Sequence, residues 1–208
     1  MITFEKGIKI LAIGAHPDDI ELSCGGSLLR FRDQFQAKIY TLICSKGELK
    51  SDPNVRVREQ KEAVGQLGVS ESVLLDNEDG SISANSFLVS EIEKHIEKWH
   101  PDIVFTHCTS DIHQDHRNVG WATLSAARRA KLAILFYPSL FIRERFVSNI
   151  FIDISNYFDE KKKLLAIFKS QASNEYMQPE LITAQAREAG LHGGCEYAEQ
   201  FSLNFWTL

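Results

Sequence analysis

The chain has 208 residues, 44% hydrophobic and 25% charged, enough to bury the core of one ordinary globular domain and too apolar for a disordered chain. A formal net charge of -5, with Lys and Arg scattered rather than massed, gives no footprint for nucleic acid and excludes a polyanionic partner from the expectations. The apolar start, Ile8 to Gly14, and the later run Leu132 to Tyr137 are both too short to span a membrane.

Taken in chain order, apolar and β-branched runs predict strands at Ile8 to Ala15, Ala37 to Cys44, Ser72 to Leu75, Ile103 to His107 and Ala133 to Phe136. Helix-period segments fall between them, at Leu22 to Gln34, Val55 to Leu67, Phe87 to Trp99 and His116 to Ala130. Strands separated by helix-length crossovers imply βαβ units. The expected fold is therefore α/β, a Rossmann-like, mostly parallel sheet of order 3-2-1-4-5 flanked by helices. After Pro138 the pattern changes to an extended stretch from Phe141 to Ile154, helices at Tyr157 to Ser170 and near Pro179 to Ala189, and a final strand around Tyr197 to Phe205. No linker or repeat divides the chain, so residues 1–208 read as a single domain. Residues 1–137 form its core and 138–208 an α+β extension that completes the site. Cys24, Cys44, Cys108 and Cys195 lie far apart with no secretory signal ahead of them, which predicts reduced thiols in a cytoplasmic protein.

Two clusters carry the chemistry. Ala15-His16-Pro17-Asp18-Asp19-Ile20-Glu21 sets an imidazole and three carboxylates directly after the first strand, and His113-Gln114-Asp115-His116 follows the fourth. In a 3-2-1-4-5 sheet those strands are neighbours at the point where the winding reverses, where ligands bind. Asp18, Asp19 and Glu21 suit the start of a helix whose first turn accepts Pro17, but a charged helix start does not account for His16. At helical spacing His16 and Asp19 share a side while Asp18 turns by about 100°. His116 completes a His₂Asp set with an open position, as expected of catalytic zinc. Iron, cobalt or manganese would also suit such an N/O set. Asp18 is then free to take a proton from bound water and return it to a leaving group. Asp115 is expected to hold His113 in one tautomer and raise its basicity, so that His113 stabilises an oxyanion. His95 and His100 read as ordinary helix residues. His107 supports the site or simply packs, and His192 lies in a turn or touches a lid.

These motifs resemble those of the LmbE-like, or PIG-L, group of zinc-dependent de-N-acetylases, which act on N-acetylglucosaminyl conjugates. The opening segment matches that family's A-H-P-D-D-x-E, His113 to His116 its H-x-D-H, and the resemblance runs nearly end to end. It implies zinc held by His16, Asp19 and His116, with Asp18 as base and then acid and His113 on the tetrahedral intermediate. Arg56 and Glu59 resemble the family's R-x-x-E, whose arginine faces the substrate, and Tyr197-Ala198-Glu199 its Y-A-E segment; these imply substrate contacts by Arg56 and Tyr197. Either residue reads equally as a solvated helix position or a packed aromatic. The family's Thr or Asn before a Gly-Glu pair is replaced by Cys44-Ser45-Lys46-Gly47-Glu48, where Lys46 meets an anionic group or solvent. The resemblance also implies an oligomer. The expected activity is hydrolytic removal of an acetyl group from an amino sugar or its conjugate. An amidase acting on a thiol-conjugate or acylated metabolite, and a non-catalytic sugar-binding homologue, stay open at this point.

Overall fold

The computed structural model describes residues 5–49, 51–139 and 146–205. Its elements alternate as the sequence predicts: β1 (Lys9–Gly14), α1 (Asp19–Phe35), β2 (Lys38–Ser45), α2 (Pro53–Leu67), β3 (Glu71–Asn77), α3 (Ser86–Trp99), β4 (Ile103–His107), α4 (Gln114–Ala127) and β5 (Ala133–Tyr137). Beyond these lie β6 (Ile150–Asp153), α5 (Phe158–Leu165), α6 (Pro179–Gly193) and β7 (Ala198–Phe205). The strands form one seven-stranded sheet of order β3-β2-β1-β4-β5-β7-β6. The first five pair in parallel, while β7 runs antiparallel to both β5 and β6.

Successive strand residues point to opposite faces, so a strand covered on both sides must be apolar throughout. In β1, Ile10 and Ala12 join a core closed by α1, α2, α5 and α6, whereas Leu11 and Ile13 join the opposite core closed by α3 and α4. Both α2 and α3 begin where a side chain satisfies one of their first N–H groups. Asp52 caps α2 by accepting the Asn54 N–H at 2.8 Å, with Pro53 as its first residue, and Asn85 caps α3 through the Leu88 N–H at 3.0 Å.

The last third departs from its expected course in two places. The long extended stretch contributes only the four-residue β6, and its residues 141–145 lie outside those described. The expected helix Tyr157 to Ser170 ends at Leu165, because Phe168 turns into the core at 1% exposure and Ser170 is drawn onto Glu59, whose carboxylate accepts both the Ser170 N–H at 2.8 Å and its hydroxyl. No helix among the described residues is long and apolar enough to cross a membrane.

Candidate active site

The site forms where β1 and β4, adjacent in the sheet, both end. The chain leaves β1 through Gly14 straight into α1, and α1's first turn sits so close that a Cβ at Gly14 would lie 3.2 Å from the Cβ of Asp19. Across the crevice α4 packs against the end of β4 through Gly120, where a Cβ would fall 2.5 Å from the His107 carbonyl oxygen. That approach stacks His116 on His107, ring centroids 4.0 Å apart, and sets His113 on the other side of His116 at 4.4 Å.

His16, Asp19 and His116 offer ligand atoms that all lie within 4.8 Å of one another. Each imidazole turns one nitrogen toward Asp19: Nδ1 of His16 at 3.5 Å from Oδ2, Nε2 of His116 at 3.5 Å from Oδ1. The opposite nitrogens meet carboxylates. His16 Nε2 donates toward Asp79 Oδ1 at 2.9 Å and Asp115 Oδ2 at 3.1 Å, and His116 Nδ1 toward Asp111 Oδ2 at 3.2 Å. A carboxylate behind each ring is the arrangement that fixes tautomer and orientation in metal-ligating histidines. The groups present therefore fit a cation held by two nitrogens and one carboxylate oxygen. Asp79 and Asp111 escape sequence reading. Each has a faint signal: Asp79 precedes a glycine just past the end of β3, and Asp111 stands two residues before His113.

Burial and charge work against each other here. Burial disfavours ionised Asp19, but the His116 and His107 charges outweigh it and hold this carboxyl well below its ordinary range. Burial likewise opposes a charged His16, yet Asp115, Asp19 and Asp79 raise its pKa well above the usual imidazole value. Asp18 behaves oppositely: burial pushes it up to about 7 against the pull of Arg56. Its Oδ1 lies 3.4 Å from Arg56 Nη2 while its Oδ2, fully enclosed, has no hydrogen-bond partner. Arg56 is itself 3% exposed and also donates to the Pro17 carbonyl.

Three expectations need correction. The Asp115 carboxylate does not brace His113: its Oδ2 faces His16 and accepts the Gly80 N–H at 2.7 Å, and its Oδ1 accepts the Ile82 N–H at 3.1 Å. His113 instead caps α4, its Nδ1 accepting the Asp115 N–H at 3.2 Å, and burial followed by the His116 and His16 charges lowers its pKa rather than raising it. Tyr197 is absent from the cavity lining because it stacks on Phe158 at 4.1 Å with Arg187 over its ring. His107 touches the site directly, its Nε2 3.1 Å from Asp19 Oδ2 while it also accepts the Ala15 N–H at 3.1 Å; burial pushes its pKa down to about 4. Lys46 pairs with Asp76 at 2.6 Å, and neither it nor His192 lines the cavity.

The cavity over these groups measures about 380 Å³. Its floor is the His16, Asp18, Asp19, His113 and His116 cluster, with Arg56 and Asp79 at the side. The far wall is built by the carboxy-terminal third, where Tyr176, Ile182, Ala186, Ala198 and Glu199 all contribute. Glu199 accepts the main-chain N–H groups of Gly26 at 2.9 Å and Ser27 at 2.7 Å, in the middle of α1, and pairs with buried Lys161, which also donates to the Leu22 carbonyl at 2.7 Å. Tyr176 leaves no mark in the sequence that distinguishes it from a packed aromatic.

The sheet is mostly parallel, with the His₂Asp cluster and the buried Asp18 carboxylate where β1 and β4 end, and comparison with known proteins gives its family. Residues 11–127 match the family model described as PIG-L: GlcNAc-PI de-N-acetylase. An uncharacterized deacetylase, YaiS of Escherichia coli K12, is 34% identical over 77% of this chain and 90% of its own length. The diacetylchitobiose deacetylase of Thermococcus kodakarensis is 27% identical over 92% of this chain and 81% of its own. The crystal structure of the conserved protein TT1542 from Thermus thermophilus superposes with a TM-score of 0.84 at 26% identity, covering 97% of this chain and 96% of that one. The chain belongs to the PIG-L, or LmbE-like, deacetylase family.

Proposed function

We propose that this protein is a zinc-dependent N-deacetylase that hydrolyses the acetamide of an N-acetylglucosamine-type sugar or conjugate. The observation that carries the reading is the enclosed, unpartnered Oδ2 of Asp18 beside the His16, Asp19 and His116 cluster. Burying a carboxylate oxygen without a partner is costly, and such a group persists where it is used. The diacetylchitobiose deacetylase relative supports an acetylated amino sugar as the substrate class.

His16 Nδ1, an Asp19 oxygen and His116 Nε2 would hold the zinc ion, with Asp79, Asp115 and Asp111 holding the outer ring nitrogens. Zinc bound there supplies Lewis acidity and lowers the pKa of a bound water toward neutrality. Asp18, with a pKa near neutrality, suits both halves of the proton transfer: it accepts a proton as water attacks the carbonyl carbon and donates it to the amine nitrogen as the carbon–nitrogen bond breaks. Arg56 holds Asp18 Oδ1 and the Pro17 carbonyl, so its guanidinium positions the base in addition to any contact with substrate. Because Nδ1 of His113 accepts the Asp115 N–H, the proton of its neutral ring sits on Nε2, free to donate to the developing oxyanion. The test is amine release from free, nucleotide-linked, lipid-linked and thiol-conjugated N-acetylglucosamine and from diacetylchitobiose. Release of free amine in a zinc-dependent manner is expected; no release from any acetylated amino sugar would remove the proposal.

A further inference from the structure

Between the two candidate ligands His16 and Asp19 stand only Pro17 and Asp18, and the Asp18 backbone is in a region that side chains rarely adopt, φ 92° and ψ -26°. A conformation of that kind persists only where the surroundings over-determine it. Here they come from one face of α2. Arg56 donates to the Pro17 carbonyl, and one helical turn later Gln60 Oε1 accepts the Asp18 N–H at 3.2 Å. Gln60 Nε2 in turn donates to Glu21 Oε1 at 2.8 Å.

The chemistry leaves the Gln60 amide no choice of orientation. A main-chain N–H can only donate, so it must meet the amide oxygen, and the amide nitrogen must then meet an acceptor, which Glu21 supplies. Gln60 is 4% exposed and Glu21 0%. Neither lines the cavity, so neither can contact substrate there. If the position required packing alone, apolar residues would fill it without the cost of burying an amide against a carboxylate. A side-chain pair that reads the direction of one N–H is what a strained loop needs.

We propose that Gln60 and Glu21 are a buried positioning pair that fixes the main chain of Asp18 and thereby the approach of His16 and Asp19 to a bound cation; this rests on Asp18 being the proton-transferring carboxylate of the proposed reaction. Gln60 acts on the chemistry only through Asp18 and its neighbours. Glu21 acts only through Gln60.

The test uses the full chain with zinc and three variants: Gln60→Met, Gln60→Glu, and the exchange Glu21→Gln with Gln60→Glu. Two quantities are read: the zinc dissociation constant by competition with a chelator, and kcat and KM for amine release. Gln60→Met removes both hydrogen bonds and is expected to weaken zinc binding and lower kcat by about tenfold or more, as loss of outer-sphere support does, with KM unchanged. Gln60→Glu replaces the amide donor to Glu21 with a carboxyl group and is expected to do the same. The exchange lets the amide introduced at position 21 donate to the carboxylate introduced at position 60, which accepts from Asp18, and both quantities return to near the parent values. A merely structural pair would lower the melting temperature while leaving zinc affinity and kcat of the folded protein intact. Wild-type zinc affinity and kcat in Gln60→Met would overturn the inference, and so would a folded exchange variant no better than Gln60→Glu. Should the parent release no amine from any sugar, the proposed function fails, yet the zinc arm still decides for or against the positioning pair.

Discussion

Asp111 ties two parts of the site with one carboxylate: Oδ2 lies 3.2 Å from Nδ1 of His116, and Oδ1 accepts the main-chain N–H of His113 at 2.9 Å. Replacing it with alanine frees the His116 ring and the start of α4 together. Asp111→Ala is expected to raise the zinc dissociation constant by about 10- to 100-fold. Chelator competition measures it, and an unchanged constant would mean that stacking on His107 suffices to orient His116.

Asp18→Asn keeps the size of the side chain and removes its capacity to take a proton. A fall in kcat of about 10²- to 10⁴-fold is expected, with zinc content by metal analysis equal to that of the parent. Full turnover in this variant would exclude Asp18 as the base.

Glu21 makes stability depend on pH. Burial pushes its carboxyl from 4.5 up to about 7, so between those values the folded chain holds a proton that the unfolded chain has released. Stability of the metal-free protein is therefore expected to fall as pH rises from about 4.5 to about 7, this group accounting for about 3 kcal/mol. Glu21→Gln should flatten that part of the curve in denaturant titrations at stepped pH. Equal slopes for parent and variant would place the penalty elsewhere.

The Lys161–Glu199 pair is buried at 4% and 5% exposure, so removing one partner strands the other. Lys161→Met is expected to cost about 3–5 kcal/mol, read as a lower denaturant midpoint. Glu199→Gln, which can still accept one N–H from α1, should cost less than Glu199→Ala, which orphans the donors of Gly26 and Ser27. Equal losses for the two would argue that the α1 contacts carry no weight.

Legibility in the sequence differs by element. β1 and β4 can be read because burial on both faces requires continuous apolar runs, and the βαβ rhythm makes them parallel, whereas their adjacency depends on a strand order that the rhythm alone does not fix. The HPDD segment is legible as a concentration of charge, but α1 begins at Asp19 rather than Leu22, since polar residues turned toward a site carry no apolar period. The partner of Asp115 is not legible. Spacing favours the nearby His113, whereas the fold delivers His16 from 99 residues away. Gln60 and Tyr176 are invisible for a related reason: one buried amide in a polar helix and one aromatic in a short turn look like any others until the cavity and α1 are placed beside them. Tyr197 misleads because Ala198 and Glu199, which follow it, line the cavity, whereas its own ring, just ahead of β7, stacks on Phe158.

The contacts of Glu199 with α1 also bear on how the chain assembles. The helix carrying Asp19 is formed early in the sequence, yet the partner for its Gly26 N–H arrives 173 residues later, on β7 near the far edge of the sheet. During synthesis the first βαβ unit would leave the ribosome with that turn unfinished. Loop closure over so long a separation is slow, and contacts of this kind retard folding. Because Glu199 also lines the cavity, the wall it builds cannot be complete until β7 has been synthesised and has docked on α1.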